Sequence, residues 1–150
     1  MHTSQRCANF YTLGYQSHTL LTLLDVLSAN NVGVLVDVRQ NPVSRKRGFS
    51  KSLLEESIRQ SGIDYFHTPD LGTPPAIRNN YLKSGNIKNA LKEYEKHLRA
   101  RRQCLRSLLR KVSRRTFCLL CLESDYTSCH RSVIARVLKE MTGCQPIHLK

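Results

Sequence analysis

Cys129, His130 and Arg131 are consecutive, and Cys121 and Glu123 lie a short way before them. A thiol, an imidazole, a carboxylate and a guanidinium gathered so closely can supply a nucleophile, a proton carrier and a grip on an anion. Residues 117–121 are apolar or thiol-bearing, too short a run for a helix and suited to a strand buried on both faces. An acidic and hydroxyl-rich connector covers 123–128, and Val133, Ile134, Val137, Leu138 and Met141 then recur with helical spacing. The stretch therefore reads as strand, turn and helix N-terminus. Free backbone N–H groups and the helix dipole at such a terminus favour an anion and the thiolate form of a cysteine.

Other elements must bring partners to that point. Residues 8–13 read as a first strand that leaves at Gly14, and Ser17 as the cap of a helix with Leu20, Leu21, Leu24 and Leu27 inward. Val34, Leu35 and Val36 read as a second strand, with Asp37 and Arg39 at its end and outside the core. Residues 40–48 form a basic loop carrying Ser44, Arg45, Lys46 and Arg47. A helix capped by Ser50 or Ser52 follows, with Leu53, Leu54, Ser57 and Ile58 as its inward stripe and Gly62 at its end.

Residues 63–67 alternate as a short third strand that ends at His67. The next stretch, 68–86, holds three of the five prolines and reads as the longest irregular segment, of the kind that often carries function. One long helix is expected over 87–112. It would carry Leu91, Tyr94, Leu98, Leu105, Leu109 and Val112 on one face and Arg99, Arg102, Arg106 and Arg110 in a neighbouring stripe. Residues 146–149 read as a last strand.

This alternation implies a single α/β domain of three layers, with a mostly parallel sheet of about five strands and helices on both faces. Ligands of such sheets bind beyond the carboxyl ends of the strands. Tyr15, Asp37, Arg39, His67, Cys121, Glu123 and Cys129 to Arg131 are therefore expected to meet at one edge.

The composition narrows the partners. The chain has 24 Lys and Arg against 11 Asp and Glu, a net charge of +13, which favours an anionic ligand such as a nucleotide or nucleic acid. No stretch has the unbroken apolar length of a membrane span, and residues 1–15 lack a secretory core, so a cytoplasmic location without membrane partners is expected. The six cysteines read as reduced thiols, since a chain of 150 residues can bury a core without bridges. Cys118 and Cys121 are not a metal pair, because residues three apart on a strand face opposite ways.

TLGY near the start, LVDVR followed by NP and a serine, GFS before a helix, GIDYFHTPDLG, and LLCLE followed by CHRSVIA occur in this order. In order and spacing they resemble the bacterial and archaeal domain of unknown function 488 family, across nearly the whole chain. The resemblance implies an α/β domain with a shared polar site and no generally established reaction.

Three chemistries fit the residues. In the first, Cys121 or Cys129 is a nucleophile, with His130 or His67 moving protons. Asp37 and Glu123 supply carboxylates, while Arg39, Arg131, Ser44 and Tyr15 hold an anionic group. In the second, Cys121, Cys129, His130 and His67 bind zinc, although the leading reading needs no cofactor. In the third, the chain binds nucleic acid without catalysis through Arg45, Lys46, Arg47 and the stripe of Arg99, Arg102, Arg106 and Arg110.

Overall fold

The computed structural model describes residues 9–150. Ala8, the expected start of the first strand, lies outside them. Among the described residues five strands, β1 (Phe10–Gly14), β2 (Val34–Asp37), β3 (Asp64–His67), β4 (Phe117–Cys121) and β5 (Pro146–His148), form one parallel sheet in the order β3-β2-β4-β1-β5. Helices α1 (Leu20–Ala29) and α2 (Lys51–Gln60) cover one face. On the other lie α4 (Ile87–Arg99), α5 (Arg102–Val112) and α6 (His130–Thr142), with α3 (Pro75–Ser84) packed against α4. The α/β architecture expected from the alternation is the one observed.

β4 is the central strand, and all five of its residues are buried, as a thiol-and-apolar run without polar gaps requires. Its side chains divide between two cores: Cys118 and Leu120 face α1 and α2, while Leu119 and Cys121 face α4 to α6. Pairing sets Gly14 level with Cys121, and Asp37 level with Leu120. The carboxyl ends of β1, β2 and β4 therefore open onto one edge.

Several local expectations are corrected. α1 is capped by Thr19, not Ser17, through reciprocal bonds with Thr22, and it buries Leu23 and Leu27 while Leu21 is exposed. The leucine-rich start looks apolar on every face, so its spacing does not select the inward one. Ser50 occupies the cap position of α2, but its hydroxyl joins Ser44 rather than the helix end, and Leu53 is exposed.

Residues 68–86 are not irregular throughout, since α3 runs from Pro75 at its first turn to Gly85, whose φ of 66° closes it. The long helix is two helices, broken at Ala100 and Arg101. Leu98 and Leu105 are two turns apart and both buried, so the apolar period runs through the break and hides it. Cys144 is disulfide-bonded, which corrects the expectation of six reduced thiols, whereas Cys104, Cys118, Cys121 and Cys129 are free.

On the β5 side, His148 Nδ1 lies 2.6 Å from Thr12 Oγ1, and its ring stacks on Tyr126 at 3.8 Å. Burial, helped by nearby Arg131, pushes His148 below its ordinary value of 6.5. A depressed folded value means that the unfolded chain takes the proton first, so this stability is present above about pH 6.5 and is lost as pH falls toward the folded value. Burial, and then Arg101, moves His97 the same way, while His130 is shifted upward and carries the opposite sign. The test is thus a difference: urea unfolding of His148→Gln should show a shallower loss below pH 6.5 than the unsubstituted chain. Parallel curves for the two proteins would remove His148 from the account.

Candidate active site

The turn leaving β1 is possible only because residue 14 is glycine. A Cβ there would stand 1.7 Å from the Glu123 carbonyl oxygen, so the connector after β4 crosses directly over the end of β1. Tyr15 and Gln16 N–H groups donate to the Cys121 and Leu122 carbonyls at 3.0 and 2.9 Å, which fixes the crossing. Gly72 plays a similar part on the other side, where a Cβ would meet Gln40 Cα at 2.5 Å. Two glycines thereby bring the segments after β1 and β4 together at the carboxyl edge, and likewise those after β2 and β3.

Beneath these loops, Asp37 and Arg39 form a buried ion pair, 0% and 6% exposed, which corrects the expectation that charges at this strand end lie outside the core. Asp37 Oδ1 accepts from the Arg39 backbone N–H at 3.1 Å and from its Nε at 2.8 Å. Oδ2 accepts from Arg39 Nη2 at 2.7 Å and from the Tyr65 hydroxyl at 2.5 Å. Burial, then the Asp37 carboxylate, pushes the Tyr65 hydroxyl far above its ordinary value, so it stays a donor.

Arg39 Nη1 donates to the Phe49 carbonyl at 2.6 Å and to the Tyr15 hydroxyl at 3.2 Å. The Tyr15 ring in turn stacks on Phe49 at 4.5 Å. With its nitrogens engaged, Arg39 braces the basic loop rather than gripping a ligand, and Asp37 has no lone pair directed at the edge for proton transfer.

Cys121, at the end of β4, and Cys129 and His130, at the start of α6, converge. His130 Nδ1 lies 3.7 Å from Cys121 Sγ and 3.9 Å from Cys129 Sγ. His130 Nε2 lies 3.0 Å from the Val38 carbonyl, an acceptor only, so Nε2 carries the proton and Nδ1 turns a lone pair toward the sulfurs. Glu123 Oε2 is 3.5 Å from Cys121 Sγ. The Tyr94 ring meets the His130 ring edge-on at 5.2 Å, and its hydroxyl donates to the Leu71 carbonyl at 2.5 Å.

Cys129 is the cap residue of α6, yet burial, then the bond with Cys121, raises its thiol well above the ordinary value. Burial therefore works against the thiolate expected at a helix start. Cys118, on the other face of β4, is pushed up to about 12 by burial and belongs to the core.

Above the cluster opens a cavity of about 630 Å³, large enough for a nucleotide-sized ligand. Cys121, Glu123 and His130 lie at its inner end. α3 and α4 supply an apolar and aromatic wall that includes Ile77, Tyr81, Leu91 and Tyr94, and the exposed residues Arg45 and Arg78 also belong to the lining. Neither arginine is ion-paired among the described residues.

The description "Domain of unknown function DUF488" matches residues 19–138, most of the chain. The chain belongs to the DUF488 family. No curated protein and no solved structure matches it.

In this DUF488 chain the expected site is brought together only in part. Tyr15, Arg39, Cys121, Glu123 and His130 line the cavity, with Cys129 behind them. His67 does not: it lies in a separate, smaller cleft beside α5, and its Nε2 is 2.7 Å from the Arg39 carbonyl. Arg131 is fully buried under the connector, with Nη2 donating to the Ser124 carbonyl at 3.2 Å and Nε and Nη1 unpartnered. It is absent from the cavity lining, as is Ser44, whose hydroxyl accepts from the Lys46 N–H.

Of the basic residues, Lys46 donates to the Tyr15 and Gln16 carbonyls and Arg99 pairs with Glu140 and Glu95, while Arg45, Arg47, Arg102, Arg106 and Arg110 are exposed. Arg78 and Tyr94 line the cavity without having been singled out for it in the sequence, while Tyr65, a candidate for base stacking there, instead donates to Asp37. For Arg78 a signal existed, the proline-to-glycine frame of α3; for Tyr65 only the fold reveals its proximity to Asp37.

Proposed function

We propose that the cavity is the active site of an enzyme acting on a phosphate-bearing ligand of nucleotide size. The observation that carries this reading is the mixed lining of a single cavity, in which Cys121, His130 and Glu123 share one apolar-walled space with the exposed Arg45 and Arg78, neither of them ion-paired among the described residues. The arginines suit an anion, the wall a flat or apolar moiety, and the thiol, imidazole and carboxylate a reacting group.

A nucleoside diphosphate titrated into the protein by calorimetry should therefore bind. Loss of one charge-assisted hydrogen bond costs about 1.5–3 kcal/mol, so Arg45→Ala and Arg78→Ala should each weaken binding roughly 10- to 100-fold. Arg106→Ala, outside the cavity, should leave it unchanged, and equal losses in all three variants would refute the assignment.

A second reading has its own support in Arg102, Arg106 and Arg110, which are exposed at one-turn spacing on α5 away from the cavity. As a nucleic-acid contact they would give an affinity for a single-stranded oligonucleotide that falls linearly with salt on logarithmic axes, with a slope reduced when all three are removed.

A further inference from the structure

The inner end of this cavity has the donor set and spacing of a metal centre. Cys121 Sγ, Cys129 Sγ and His130 Nδ1 all lie within 4.8 Å of one another. Zinc bonds of about 2.3 Å to sulfur and about 2.0–2.1 Å to nitrogen, arranged tetrahedrally, put sulfur and nitrogen roughly 3.5–3.6 Å apart. The two observed sulfur–nitrogen separations are 3.7 and 3.9 Å, and the two sulfurs lie within 4.8 Å, against roughly 3.8 Å between sulfurs in such a tetrahedron, so a contraction of at most about 1 Å closes the site. His130 is also oriented as a metal-bound imidazole is, with its far nitrogen donating to the Val38 carbonyl and its near lone pair directed at the sulfurs.

The scaffold is rigid where it matters. Cys121 ends the central strand, and Cys129 and His130 begin a helix of 13 residues, so the three donors sit on regular elements rather than on a loose loop. Two thiolates would balance a divalent ion, which answers the cost of placing charge in a buried site. Two sulfurs and one imidazole with four-fold coordination select zinc over magnesium or calcium, which take oxygen donors.

Cys121 and His130 face the cavity while Cys129 lies behind them, so the missing vertex of the tetrahedron opens toward the ligand. Glu123 Oε2, 3.5 Å from Cys121 Sγ, stands beside that opening as a hydrogen-bond acceptor.

We propose that Cys121, Cys129 and His130 bind one zinc ion, with a fourth position open to the cavity. The inference rests on the active-site reading of that cavity and deepens it: the ion is a Lewis acid for an oxygen of the phosphate-bearing ligand or for a water bound next to it.

The chain, stripped with a chelator, is titrated with Co²⁺ and separately with Zn²⁺. The expected result is one ion per chain by elemental analysis, an intense thiolate-to-cobalt absorption with visible bands of four-fold coordination, and displacement of Co²⁺ by Zn²⁺. Cys129→Ser and His130→Asn should weaken uptake by more than roughly 100-fold, beyond the loss that an outer partner brings. Cys104→Ser, at a thiol outside the cluster, should not weaken it.

Uptake without a thiolate band, or none by the folded unsubstituted protein, overturns the proposal. These readouts on the unsubstituted chain decide even where a variant fails to fold. Inorganic pyrophosphate, titrated into the metal-free protein and its Arg78→Ala variant, separates the two readings. Failed metal uptake with Arg78-dependent pyrophosphate binding removes the zinc and leaves the phosphate site. Metal uptake without pyrophosphate binding does the reverse.

Discussion

Arg39→Met is expected to lower the free energy of unfolding by about 3–5 kcal/mol, measured by urea denaturation. The substitution leaves Asp37, which is 0% exposed, with only the Tyr65 hydroxyl and a backbone N–H as donors. A buried carboxylate stripped of its cation costs far more than the pair contributes, because the desolvation of the remaining charge is no longer offset. Asp37→Leu combined with Arg39→Met should therefore recover much of the loss, and the double-mutant cycle gives the coupling. A loss below about 1 kcal/mol for Arg39→Met would place the pair among solvated ion pairs and contradict its burial. Ligand binding should weaken as well even where the protein stays folded, since Arg39 ties the Phe49 carbonyl and so the loop that carries Arg45.

Gly14→Ala is the second change with a large expected effect. Its Cβ would overlap the Glu123 carbonyl oxygen and carbon, at 1.7 and 2.4 Å, and both are backbone atoms that cannot rotate away. The connector must lift, taking Glu123 from Cys121 and loosening the cover over Arg131. The cost is expected at or beyond the top of the roughly 1–3 kcal/mol range for overpacking, with lowered expression or a broadened thermal transition. Gly33→Ala is the matched comparison, because its nearest neighbour is 3.5 Å away and its stability should change by about half a kcal/mol or less. Equal behaviour of the two variants would show that the close crossing at Gly14 is not required.

Much of this arrangement could be read from residue order. The thiol-and-apolar run of β4 marks a fully buried strand, the apolar period after Cys129 marks α6, and a parallel sheet then brings Cys121 and His130 to one edge. What escaped reading depends on partners distant along the chain. Asp37 and Arg39 look like surface charges until Tyr65, Tyr15 and the Phe49 carbonyl are seen to satisfy them. His67 ends a strand as expected, but β3 is an edge strand, so its end falls outside the cavity. The break at Ala100 is invisible because burial keeps its period on both sides. Arg131 shares its motif with two cluster residues and still points elsewhere, since successive helix positions turn by about 100°.

α3 packs against α4, yet none of its ten residues is buried, whereas the floor of the cavity is attached to the central strand. The two ends of the ligand would thus meet matter of different stiffness. Local opening of α3 exposes little apolar surface and costs little, while opening at Cys121 requires disrupting the middle of the sheet. Backbone amides of residues 75–84 should exchange with solvent long before those of 117–121. Among related chains, the same division would let α3 vary to admit different ligands over an unchanged floor.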